Sequence, residues 1–298
     1  MLNEGIEAGS RGSGTRDINN MFKRITIIGL GLIGGSLGLA IKEKRLAKEV
    51  VGVSRRRVTI ERALSSGIVD RATLDVKKGV ASSDLVILST SVSKIIDIAK
   101  RISGFLSKGA IVTDTGSTKK DIVKNIESVL PETIDFVGSH PLAGSEKSGL
   151  GYADKDLFKG AYCILTKTNR TNQESLNKIN RFWDRLDMKV EIMSPQRHDK
   201  VISRLSHLPH AVACGLSNTV ASIKDLYLAA GGFKDTTRVA SGHPDLWKDI
   251  FFTNRDNIVR DIGMLKKELS KIEMALKNKD ERRLLKLFNK AKLIRDSI

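Results

Sequence analysis

Two hydrophobic rhythms divide this chain. Up to about residue 193, short apolar-rich runs at 24–28, 49–53, 85–88, 110–113, 135–138, 161–166 and 189–193 read as strands, the first of them buried. Between them, residues 36–44, 58–66, 92–102, 119–130 and 172–186 place apolar side chains at helical spacing. Strands alternating with helices of this length predict an α/β domain built on a parallel, doubly wound sheet of Rossmann type. Beyond Ser194-Pro195 the strand signals stop. Residues 198–224, 246–277 and 280–298 keep only the helical period, broken by a loop at 230–240 that continues through Gly242-His243-Pro244. The chain therefore divides into an extension over 1–20, an α/β domain over 21–193 and an all-helical domain over 194–298. The extension, rich in Gly, Ser, Asn and charge, reads as disordered, with Met21 a natural beginning. There is no internal repeat.

Composition changes this picture little. At 298 residues with 40% hydrophobic and 29% charged positions, two globular domains are expected. No apolar run reaches the roughly eighteen residues that span a bilayer, and residues 1–20 lack the apolar centre of a signal peptide. Cys163 and Cys214 form neither a disulfide framework nor a metal spacing, so a cytoplasmic setting and no bound metal are expected. The net charge of +17 favours anionic small ligands. It is spread along the chain with few aromatics interleaved, so neither nucleic acid nor membrane is expected as a partner. Residues 266–295, the densest basic stretch, read as a solvated helix face.

The first candidate chemistry is Gly29-Leu30-Gly31-Leu32-Ile33-Gly34, which follows a strand and opens a helix. In that context the glycines allow a tight turn and close backbone approach, and the helix N-terminus receives a dinucleotide pyrophosphate. Leu32, Ile33 and Thr90 join the expected cofactor contacts. At the end of the second strand an NAD enzyme usually carries Asp or Glu against the ribose hydroxyls. Here that position is Ser54, followed by Arg55, Arg56 and Arg57, which favours NADP while leaving NAD open.

The second is Gly138-Ser139-His140-Pro141-Leu142-Ala143-Gly144-Ser145-Glu146-Lys147-Ser148-Gly149, which sets an imidazole at a strand end. Ligands of doubly wound sheets bind at such ends, and a histidine there can act as a base near neutral pH. Asp114-Thr115-Gly116-Ser117, at the end of the preceding strand, brings Ser117 toward the same place. Ser206, His207 and His210 lie in the helical half, the two histidines three apart on one helical face. No further ligand completes a metal set, so they read as polar pocket lining.

These segments, with GLGLIGGSLG at 29–38, DTGSTK at 114–119, SRLSHLPHAVA at 203–213 and GGFKDTTRVASGHPDLWKDI at 231–250, resemble the prephenate/arogenate dehydrogenase family of tyrosine biosynthesis. The resemblance runs from about Lys23 to at least Phe252. It implies oxidative decarboxylation of prephenate, or of arogenate by the same chemistry, with a nicotinamide cofactor. By the same resemblance His140 accepts the proton of the ring hydroxyl and Ser117 orients that hydroxyl and the nicotinamide. Arg238 pairs with a substrate carboxylate. Ser206, His207 and His210 line the substrate side, Glu146 and Asp235 join a polar network at the mouth, and Trp247 packs nearby. A helical pattern to Ile298 leaves no room for a fused chorismate mutase or ACT domain, so tyrosine inhibition is expected only at the active site.

A β-hydroxyacid dehydrogenase shares the two-domain plan but relies on a lysine in a glycine-rich helix pattern that surrounds neither His198 nor Lys200. A non-catalytic nucleotide-binding regulator would need the glycine fingerprint but not His140 and Arg238 together. Leu265, Leu269, Ile272, Leu276, Leu284, Leu287 and Phe288 are too many apolar residues for so small a helical domain to bury alone, so a homodimer is expected.

Overall fold

The computed structural model describes residues 20–144 and 147–298. The expected extension, apart from Asn20, and Glu146 lie outside the described residues. The chain runs β1 (Phe22–Ile28), α1 (Leu32–Glu43), β2 (Ala47–Val53), α2 (Arg57–Ser65), β3 (Arg71–Thr73), α3 (Val76–Val80) and β4 (Leu85–Leu88). It continues through α4 (Val92–Ile102), β5 (Ile111–Asp114), α5 (Lys120–Val129), β6 (Asp135–Pro141), β7 (Tyr162–Thr166), α6 (Gln173–Arg185) and β8 (Lys189–Met193). After Met193 every described regular element is helical: α7 (Pro195–Ile202), α8 (Leu208–Thr219), α9 (Gly231–Thr237), α10 (Pro244–Thr253), α11 (Arg255–Lys277) and α12 (Glu281–Asp296).

The strands form one sheet in the order β3-β2-β1-β4-β5-β6-β7-β8. The central strands β4 and β5 are buried along their whole length, because helices cover both faces of the sheet. On one face Leu37 and Ile41 of α1 pack with Phe158 and with Phe182 and Trp183 of α6. On the other, Ile95 and Ala99 of α4 pack with Ile122 and Ile126 of α5. Ile250 of α10 joins that second cluster, with Trp247 and Phe251 against it, so the helical region is seated on the sheet's own core.

The structure corrects the expected architecture in three places. The sheet is not wholly parallel: β7 runs antiparallel to β6, with His140 opposite Ile164. Parallel neighbours need a long crossover, and the described part of the 142–161 connection holds only a short 3-10 turn at Leu150–Tyr152. The edge strand β3 and the short α3 carry no apolar run long enough to predict them. The expected loop at 230–240 is instead α9, continued by a 3-10 turn at Arg238–Ser241.

Candidate active site

A cavity of ≈ 1890 Å³ opens at the carboxyl ends of the parallel strands. It exceeds the roughly 300–1,000 Å³ of an ordinary small-ligand pocket, as a site for a dinucleotide plus a second molecule would. Gly29, Gly31, Leu32, Ile33, Ser54, Arg55, Arg56, Thr90, Ser117 and His140 all line it. One space thus brings together most of the glycine turn, the end of β2, Ser117 and His140, while Gly34 is not among its lining residues.

The glycine turn is built for a ligand. Gly29 has φ +100, and a Cβ there would stand 2.2 Å from the Ser89 carbonyl oxygen. Gly34 lies inside α1, where a Cβ would meet the Gly29 carbonyl oxygen at 1.9 Å. A Cβ on Gly31 meets nothing within 4 Å, so the backbone faces open space just before the α1 N-terminus. Such a cradle accepts a pyrophosphate, whose charge the helix terminus favours. Around it Arg55, Arg56, Arg57, Arg62, Lys94, Lys100, Arg101 and Lys147 line the same cavity, against Asp97 as the one carboxylate among the described lining residues. The field favours an anionic ligand.

His140 sits near the end of β6, 8% exposed. Its seat is tied down by a buried lysine. Lys119 Nζ donates to Asp114 at the end of β5 and to the Ser139 carbonyl oxygen at 2.8 Å, and both charged side chains are fully buried. Asp114 in turn accepts from the Ser139 amide at 3.1 Å and the Gly116 amide at 2.8 Å. Ser139 Oγ lies 2.7 Å from Thr113 Oγ1 and accepts from Trp183 Nε1 at 3.2 Å. The amide, carbonyl and hydroxyl of Ser139, the residue before His140, are thus all bonded, which fixes the strand end that carries the imidazole.

The ring itself joins a buried chain. His140 Nδ1 lies 2.8 Å from His198 Nε2, and His198 Nδ1 lies 2.8 Å from Asp199 Oδ1. Asp199 also receives the amides of Lys119 (2.7 Å) and Lys120 (3.0 Å), capping the N-terminus of α5 from α7. Asn254 Nδ2 donates to the Asp199 carbonyl oxygen at 2.8 Å and to His207 Nδ1 at 3.1 Å. Burial, helped by the charges of His198, Lys119 and His207, holds His140 well below the usual histidine range. Burial likewise lowers His198 and takes His207 to about 4. Burial alone would raise Asp199, but the His198 hydrogen bond and the two amides outweigh it and hold its carboxyl below the usual range. All three imidazoles are thus neutral near pH 7, the state a base requires.

The predicted substrate-side residues gather around Trp247. The His210 ring stacks on Trp247 with centroids 3.6 Å apart, and His207 meets it edge-on at 6.2 Å. The His210 Nδ1 atom is buried without a hydrogen-bond partner among the described residues. Ser206 and His207 end a π-helical turn at Ser203–His207 between α7 and α8, a distortion common at functional sites. Arg238 and Asp235 are exposed on α9 and its 3-10 continuation, which packs against α8. None of Ser206, His207, His210, Asp235, Arg238 and Trp247 lines the cavity of the single chain, although Leu246 beside Trp247 does. Sequence reasoning missed Lys119, Asp199 and Asn254 as site residues and gave His198 no role. A histidine followed by a carboxylate just after the last strand was the available signal. Its partner, 58 residues away, was not legible.

Known proteins match this chain in sequence and fold. Residues 37–192 match the family described as "Prephenate dehydrogenase, nucleotide-binding domain", and residues 194–290 match "Prephenate dehydrogenase, dimerization domain". The chain is 34% identical over 287 residues to the prephenate dehydrogenase of Bacillus subtilis, covering 94% of this chain and 77% of that one. The crystal structure of A. aeolicus prephenate dehydrogenase in complex with hydroxyphenyl propionate and NAD+ superposes with a TM-score of 0.87 at 35% identity, covering 92% of this chain and 98% of that one. A Synechocystis arogenate dehydrogenase structure gives 0.80 at 30% identity, covering 92% and 99%.

Proposed function

The chain belongs to the prephenate dehydrogenase family of nicotinamide-dependent oxidoreductases, and from that membership we propose how its own residues carry out an oxidative decarboxylation. The observation that carries the reading is His140 at the end of β6, lining the same cavity as the glycine cradle and bonded through Nδ1 to His198. His140 is the base that takes the proton of the ring hydroxyl, through Nε2, which makes no hydrogen bond among the described residues. A bound nicotinamide supplies the acceptor for the hydride that leaves the same ring carbon. Loss of the ring carboxylate as carbon dioxide then makes the ring aromatic. The product phenol keeps one hydroxyl proton, so His140 holds that proton only while charge develops and then returns it.

Ser117, half-buried on the cavity wall, orients the hydroxyl. Arg238 offers the guanidinium fork that suits a carboxylate, with Ser206, His207, His210, Asp235 and Trp247 lining the substrate side; Glu146, which lies outside the described residues, joins them by family resemblance alone. Gly29, Gly31, Leu32, Ile33, Gly34 and Thr90 hold the dinucleotide. Ser54, Arg55 and Arg56 favour NADP over NAD, because no carboxylate at the β2 end repels a 2′-phosphate and the guanidiniums attract it. The division between nucleotide-binding and helical domains falls at 193/194, where the last strand ends. The helical domain forms a homodimer through α11 and α12. There Leu269, Leu276 and Phe288 are each more than half exposed, while α12 buries none of its residues.

The test is turnover of prephenate, and in parallel of arogenate, followed by absorbance of the reduced cofactor. His140→Asn lowers kcat by roughly 10²–10⁴ and leaves the cofactor Kd unchanged. Wild-type turnover in that variant refutes the assignment.

A further inference from the structure

We propose that His198 and Asp199 are positioning residues for His140, fixing its tautomer so that Nδ1 carries the hydrogen and Nε2 presents a lone pair to the substrate. This inference rests on the reading of His140 as the base.

The direction of the chain follows from donors that cannot turn round. The amides of Lys119 and Lys120 point at the two oxygens of Asp199, and a backbone N–H has no acceptor form. They favour the ionised carboxylate, as does its place at the α5 N-terminus. An ionised Asp199 only accepts, so His198 Nδ1 is the donor across the 2.8 Å to Oδ1. A neutral imidazole then has only a lone pair at Nε2. Across the next 2.8 Å the donor is therefore His140 Nδ1. One carboxylate, read through one intervening ring, decides which nitrogen of the base is basic.

The same chain supports the charged state. When His140 becomes an imidazolium, its Nδ1–H already has an acceptor, and that acceptor is polarised by a carboxylate behind it. Facing it are His198 itself whenever it is protonated, Lys119 and His207, all of which disfavour positive charge there, so only a neutral His198 acts as the acceptor. His198 is fully buried and Asp199 is 1% exposed, so water cannot substitute for either. A purely structural account explains why Asp199 caps α5. It does not explain why a second imidazole is interposed between that cap and His140.

His198→Leu and His198→Gln separate the roles. Leucine fills the space without an acceptor. The Gln amide can donate to Asp199 and accept from His140 Nδ1, reproducing both bonds. Expected for His198→Leu is a kcat lower by about 10²-fold, with prephenate KM and cofactor Kd within about threefold of wild type. The acid limb of kcat/KM moves to lower pH, because the buried His140 imidazolium has lost its acceptor. His198→Gln regains most of the rate and brings the limb back toward wild type. A His198→Leu enzyme within threefold of wild-type kcat, or a His198→Gln enzyme as slow as His198→Leu, overturns the proposal. If His198→Leu does not fold, the His198→Gln arm alone decides by its rate and pH limb. His140→Asn in the same assay distinguishes the two readings. If it turns over normally the base assignment fails. If it is slow while both His198 variants are fast, only the positioning role fails.

Discussion

Replacing Lys119 with methionine should be among the most damaging single changes outside the reacting groups. Methionine nearly fills the space of the lysine stem, so little cavity forms and the loss is electrostatic. The ammonium leaves Asp114 and the Ser139 carbonyl at once. Asp114 keeps only the Gly116 and Ser139 amides, in a site with no exposure at all. Breaking one partner of a buried pair typically costs about 3–5 kcal/mol, which lowers Tm by about 10 °C for a chain of this size class. The freed Ser139 carbonyl also loosens the residue that precedes His140, so kcat should fall along with stability. Urea unfolding and a thermal melt measure the first effect, initial rates the second. Adding Asp114→Asn to Lys119→Met removes the stranded charge and should recover a good part of the loss. A single variant within 1 kcal/mol of wild type, or a double variant no better than the single, would refute the claim that this pair seats the base.

Three further outcomes are expected. Ser54→Asp should turn cofactor preference in kcat/KM from NADP toward NAD, and a wild type that already uses NAD much better than NADP contradicts the role given to Arg55 and Arg56. Stability should fall as pH drops from 6.5, where an unfolded histidine titrates, toward about 4, where His207 does in the folded chain, because the unfolded state takes up the proton first. At pH 5 His207 alone removes about 2 kcal/mol, and urea midpoints that stay flat between pH 7.5 and 5 count against neutral burial. Light scattering should give twice the chain's 32.7 kDa, and Leu269→Asp with Phe288→Asp should return it to one.

Much of the sheet was legible because buried parallel strands write themselves as continuous apolar runs. The run 85–88 gives β4 to the residue, whereas β8 at 189–193, an edge strand mostly open to solvent, shows only as Val190 and Ile192 alternating with Lys189 and Glu191. Two helices begin a turn before their apolar period shows, at Leu32 against 36 and Pro195 against 198, since glycines and polar caps hide the first turn. α9 was read as a loop because Gly231 and Gly232 open it, and only tertiary packing against α8 offsets their poor propensity. The candidate site divided the same way. His140, Ser117 and the glycine turn announce themselves by motif, whereas Lys119 looks like any surface lysine until the fold encloses it. Asp199 acts on residues 80 positions away, a relation that no local pattern encodes.

The cap that Asp199 places on α5 also limits how this protein can breathe. α7 begins just past β8, the last strand, yet it is bonded to α5 on the sheet through both carboxylate oxygens and held again by Asn254. Parting α7 from α5 would also break the contact of His198 with His140. If turnover needs no parting of α7 from α5, a crosslink bridging the two helices should leave it intact, and a crosslinked enzyme that loses its rate would show that this joint opens.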